Sequence, residues 1–163
     1  MSKSAHLIDP KDAGVRRHDL KPPVFDAGAV ARADEALKAM GEDMQAWLDD
    51  DIERLQAARL EAAQGAWSHR ALEPLFGAAH DLKGMGATYG YPLVTLLAAS
   101  LCRLIETDAG KAAAQREPTL VCAHVDALRA AVRDRIRSID DATTRALVQA
   151  LEARVAELGV APR

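Results

Sequence analysis

The stretch LEPLFGAAHDLKGMGATYGYP, residues 72–92, carries the punctuation that sets the fold. Leu72, Leu75, Ala79, Leu82, Gly86 and Tyr89 recur at threes and fours. At about 100° per residue they share a sector of roughly 100°, the mark of a helix with one buried face. Pro74, which a helix accepts in its first turn, sets the predicted start near Glu73. Gly90 suits a helix C-terminal cap and Pro92 the first turn of the next helix. Two helices joined by so short a turn must lie antiparallel.

Working outward, the same period recurs on both sides. Upstream, Asp26 suits an N-cap, and Val30, Ala33, Leu37, Met40, Met44, Trp47, Leu48, Ile52 and Leu55 trace one stripe, expected to be buried. Gly41 is a candidate division in that helix, Gly65 its end, and the acidic run Asp49, Asp50, Asp51 and Glu53 reads as a solvated face. Downstream, Leu93, Leu96, Leu97, Leu101, Leu104 and Ile105 form a third helix that stops before Gly110. Pro118 opens a fourth with Val121, Val125, Leu128, Val132 and Ile136 inward. Asp140 or Asp141 caps a fifth with Val148, Leu151, Val155 and Leu158 inward, and Gly159 closes it.

No segment alternates with period two and no repeat at a fixed spacing is visible. The expected fold is therefore all-α: an antiparallel four-helix bundle over residues 26–139, an additional C-terminal helix over 140–159, and an N-terminal arm over 1–25. The arm has Pro10, Pro22, Pro23 and Gly14 and few large apolar side chains, and reads as flexible.

Composition agrees. The 163 residues are 49% hydrophobic but only 4% aromatic, so the good helix formers Ala, Leu and Arg supply the bulk. A net charge of −3 argues against a nucleic-acid binder, which needs a clustered basic face. Cys102 and Cys122 have neither disulfide-framework nor zinc-knuckle spacing and read as reduced core residues. No signal-peptide pattern opens the chain and no apolar run reaches the roughly 18 residues of a membrane span. A cytoplasmic monomer is the default expectation.

Projected on the same wheel, His80 falls about 125° from the centre of the core face, so it points outward. Gly77, Gly84, Ala87 and Tyr91 share that outward stripe, and Lys83 lies one turn on at i+3. A helical glycine costs about 0.5–1 kcal/mol relative to alanine. Gly86 faces inward and is explained by close helix packing. Gly77 and Gly84 are not, and a partner approaching His80 closely explains both. His6, His18, His69 and His124 lack the i, i+4 partner of a helical metal pair and read as surface or capping residues, and Cys102 has no nearby histidine to activate it. No metal site is expected.

The run His80-Asp81-Leu82-Lys83-Gly84, with Gly90 ten residues after the histidine, resembles the histidine-containing phosphotransfer (HPt) domain, whose pattern is H-x-L-K-G followed after five more residues by Gly. Val94, Ala98, Leu101 and Glu106 look like that family's next helix, and Met85 stands where the family more often has a small residue. The resemblance spans roughly residues 30–139. It implies a phosphorelay in which His80 takes a phosphoryl group from the aspartate of one receiver domain and passes it to another. Lys83 would offset charge on the phosphoryl oxygens, while Gly84 and Gly77 clear space and Ala87 and Tyr91 join the docking patch.

The implied partners are the receiver domains of response regulators and hybrid histidine kinases, which would bring the Mg²⁺; no intrinsic cofactor is expected and the chain would be a carrier, not an enzyme. Two rivals stand beside this reading. One is the phosphoacceptor domain of a chemotaxis-type kinase, although such kinases continue into further domains and the sequence read here ends at Arg163. The other is a helical adaptor or inhibitor that binds receivers or kinases without transfer, for which His80 and Lys83 would be unneeded.

Overall fold

A computed structural model describes residues 27–159, so the expected arm and the cap at Asp26 lie outside the described residues. Six helices follow: α1 (Ala27–Gln64), α2 (His69–Met85), α3 (Pro92–Glu106), α4 (Asp108–Arg116), α5 (Pro118–Arg133) and α6 (Ala142–Glu157). No strand occurs among the described residues. The chain divides into two compact units, Met1–Ala39 and Met40–Arg163. Of the first, the described part is the opening of α1, and all of it is exposed except half-buried Ala29.

The second unit is a helical bundle built on α1, α2, α3 and α5. Its core draws Leu48, Ile52, Leu55, Ala58 and Ala62 from α1 and Leu72, Leu75, Ala79 and Leu82 from α2. It adds Leu93, Leu97, Leu101, Leu104 and Ile105 from α3 and Val121, Val125, Leu128 and Val132 from α5. Each set follows the three-four spacing that makes one face of a helix apolar. Helix α1 runs antiparallel to α2: Gln45 meets Tyr91, Asp51 meets Tyr89 and Arg54 meets Asp81.

The ends of α2 explain its placement. Ser68 caps its N-terminus, its hydroxyl accepting from the Ala71 N–H at 3.4 Å. The helix thus starts earlier than Pro74 suggests, and Pro74 lies inside it. At the other end Tyr91 N–H donates to the Gly86 carbonyl and Gly90 N–H to that of Ala87, with Gly90 at φ +79°. This is a Schellman ending, and the positive φ is why a glycine stands there. Pro92 then opens α3 at once. Gly86 lies under this turn, where a Cβ would come within 2.8 Å of the Thr95 backbone nitrogen and Oγ1, so α2 and α3 approach backbone to backbone.

Several expectations need correction. Helix α4 occupies what reads as a connection after a Gly110 stop: Thr107 caps it, accepting from the Gly110 N–H at 3.0 Å, and a Cβ at Gly110 would sit 2.3 Å from the Leu104 carbonyl oxygen. Gly110 therefore marks a close approach, not a break. Val30, Leu37, Met40 and Trp47 are not core: they are 46, 65, 58 and 56% exposed. The buried stripe of α1 starts only at Leu48, and Gly41 does not divide the helix. Leu96 is exposed, while Ile136, Val148 and Leu158 are half-buried against the core. Of the two candidate caps for the last helix, Asp141 holds the position, accepting from the Thr144 N–H at 2.9 Å. Among the described residues no helix is long and apolar enough to cross a membrane.

Candidate functional site

On α2 the core residues Leu75, Ala78, Ala79 and Leu82 turn inward, and the residues between them are carried to the surface. His80, Asp81, Lys83 and Gly84 are all exposed. A Cβ at Gly77 or at Gly84 would meet nothing within 4 Å. The imidazole therefore stands between two glycine positions, one turn before it and one turn after it, that carry no side chain.

His80 and Lys83 line one open depression of about 290 Å³ together with Phe76, Gly77, Asp81, Cys102 and Glu106. Helix α3 forms its far wall. Phe76 lies one turn before His80, the two ring centroids 6.0 Å apart and the planes tilted by 37°. Cys102 is buried beneath, and burial pushes its thiol up to about 11, with Glu106 adding to the rise and Lys83 opposing it. A thiol held protonated in this way packs and does not attack.

Charge around the histidine is mixed. Lys83 and, from α1, Arg54 supply cations, and Arg54 Nη1 lies 3.6 Å from Asp81 Oδ2. The same guanidinium pairs with Asp51, which also accepts from the Tyr89 hydroxyl at 3.5 Å. Burial, then Asp51, raises the Tyr89 phenol above its ordinary value. Asp51 thus belongs to a bridge between α1 and α2, in place of the solvated face its acidic run suggests.

The outward stripe is only partly what the helical wheel draws. Gly77, His80, Gly84 and Ala87 are exposed, Ala87 with its N–H donating to Thr95 Oγ1 at 2.8 Å. Tyr91 is a correction: it is completely buried, its hydroxyl donates to Gln45 Oε1 at 2.6 Å and Arg137 lies over its ring at 5.0 Å. The wheel fails there because Gly90, at φ +79°, takes the chain out of helical geometry one residue before Tyr91. His124 is another, being neither surface nor cap: it is buried with Nδ1 2.8 Å from the Leu120 carbonyl and Nε2 3.0 Å from Ser100 Oγ. His69, by contrast, is the exposed first residue of α2, 3.8 Å from Asp108.

The sequence reading missed Phe76 and Arg54. The first was legible as an aromatic at i−4 from the histidine. The second needed the α1–α2 register, which no local pattern carries.

This geometry is accompanied by a match of the Hpt domain family model to residues 39–158. The chain belongs to the Hpt domain family. No curated protein and no solved structure matches it. The match extends through α4 and α6, so both lie within the matched HPt region, although the sequence pattern set the last helix apart. HPt domains are phosphocarrier modules of two-component signalling that work with receiver domains, and this chain has a phosphotransfer role of that kind.

Proposed function

We propose that His80 accepts a phosphoryl group from the aspartyl phosphate of one receiver domain and gives it to the aspartate of another. One observation carries the reading: the His80 imidazole is exposed on α2 with empty space over Gly77 and Gly84 on either side. A receiver can bring its phosphoryl group up to the ring nitrogen there with no side chain standing at either glycine. In the forward step the lone pair of one ring nitrogen attacks phosphorus. The N–P bond forms as the P–O bond to the aspartate breaks, and the carboxylate leaves with the electron pair. The proton on the other ring nitrogen is kept through the transfer, and the cationic ring so formed then releases it to water. The reverse sequence discharges the phosphoramidate to the second receiver.

Lys83, one turn from His80 in the same depression, offsets charge on the phosphoryl oxygens, and Gly84 leaves room for them. The Mg²⁺ that such transfer uses belongs to the receiver in this scheme. Docking uses the exposed side of α2 around Gly77, Gly84 and Ala87, with Arg54 of α1 at the rim, and Tyr91 is withdrawn from it.

The test is uptake of labelled phosphate from receiver domains charged with acetyl phosphate. Wild type should take up label from at least one receiver and His80→Gln from none. Label on His80→Gln at the wild-type rate defeats the assignment, and binding of receivers without any uptake by wild type turns the chain into an adaptor.

A further inference from the structure

We propose that Phe76 is a positioning residue for the phosphoacceptor, holding the exposed imidazole in the orientation from which it reacts; the inference rests on the role of His80 given above. A helical side chain leans back toward the helix N-terminus, over the residues three and four before it. For His80 these are Gly77 and Phe76. Gly77 has no side chain to offer, so the preceding turn supports the imidazole through Phe76 alone.

The contact is of the right kind. The ring centroids are 6.0 Å apart with a tilt of 37°, within the range in which aromatic pairs attract. Phe76 is only half exposed and packs against the hydrophobic core, so its own rotamer is fixed by its neighbours. His80 is exposed, and at Gly84, one turn on, a Cβ would find empty space. A mobile ring thus leans on an anchored one. Left alone, an exposed imidazole has two accessible χ1 wells and a broad χ2, and only a fraction of those states aims a nitrogen at a docked phosphoryl group. Restricting them raises the rate of transfer inside the complex and leaves the strength of docking unchanged.

The experiment compares full-length wild type, Phe76→Leu, which keeps apolar bulk without a ring, and Phe76→Tyr, which keeps the ring. Two readouts are taken. The first is the His80 imidazole C–H resonances by NMR: Phe76→Leu should shift them through loss of the ring current, and Phe76→Tyr should leave them near wild type. The second is phosphotransfer from a receiver domain charged with acetyl phosphate, across receiver concentrations. Phe76→Leu should lower the maximal rate about three- to tenfold at an unchanged half-saturating concentration, and Phe76→Tyr should restore it.

Unchanged His80 resonances in Phe76→Leu overturn the stacking. A maximal rate equal to wild type overturns the positioning role while leaving His80 as acceptor. A raised half-saturating concentration with an unchanged maximal rate makes Phe76 a docking residue, which also overturns the inference. Label transferred equally well to His80→Gln removes the reading beneath it, a separate and recognisable failure.

Discussion

At the scale of single residues, three glycines on one stretch of chain do opposite things, and their substitutions should separate. Gly77 and Gly84 are exposed helical glycines whose missing Cβ atoms would meet nothing. Replacing either by alanine should stabilise the fold by about 0.5–1 kcal/mol, a rise of a few degrees in thermal midpoint, because only helix propensity changes. Gly84→Ala should at the same time slow phosphotransfer, since the added methyl stands beside His80 where a receiver must approach. Gly86→Ala should lose about 1–3 kcal/mol, because its Cβ would press on Thr95 backbone and hydroxyl at 2.8 Å. Thermal unfolding and initial transfer rates on the three variants check all of this. The outward placement of His80 was legible because four large or small apolar neighbours fix the wheel of α2 on both sides of it. The same wheel misplaced Tyr91, five residues beyond Gly86, because a projection at 100° per residue holds only while the backbone is helical.

At the scale of elements, proline and glycine fixed most boundaries correctly: Pro92 and Pro118 open α3 and α5, and Gly90 and Gly159 take the positive φ at two ends. What stayed illegible was a glycine or proline used for something else. Gly110 buries itself against the Leu104 carbonyl in the first turn of α4, and Pro74 sits inside α2 because Ser68 has already capped it. Two further ends use residues a reader would not choose. Ala66 at φ 51° and Arg135 at φ 52° stand where Gly90 stands in its own turn. Trp67 N–H then donates to the Ala62 carbonyl and Ile136 N–H to that of Ala131. A left-handed conformation costs an L-residue about 1–2 kcal/mol, so Arg135→Gly should stabilise the protein by about 0.5–1 kcal/mol after the extra chain entropy of glycine is deducted. Tyr91→Phe removes the hydroxyl bonded to Gln45 and should cost about 1 kcal/mol in urea unfolding while leaving the phosphotransfer rate unchanged, since the ring is buried away from the docking face.

At the scale of the whole molecule, stability should depend on pH through the core. His124 bridges the Leu120 carbonyl and Ser100 hydroxyl as a neutral ring, and burial lowers its pKa below the ordinary value, with the Leu120 bond opposing. The unfolded chain then binds a proton more readily than the folded one. Stability is complete above about pH 6.5 and falls as pH drops from there toward the folded-state pKa, before most carboxylates titrate. Urea midpoints between pH 7.5 and 5 should show that slope in wild type and lose it in His124→Leu. The exposure of the apolar stripe at Val30, Leu37, Met40 and Trp47 could not be read from periodicity, which marks a face without saying what covers it, whereas His124, three residues after Val121 and four before Leu128, lay beside the apolar face of its helix. The bundle as a class was legible, and the Hpt family match secures the phosphotransfer role. The most direct test of the central claim is to locate the phosphate on wild-type protein charged by a receiver, using tandem mass spectrometry under alkaline conditions that preserve phosphohistidine. The account predicts a single acid-labile phosphate on His80. A phosphate found on exposed His69 or on a carboxylate, with His80 unmodified, would contradict it.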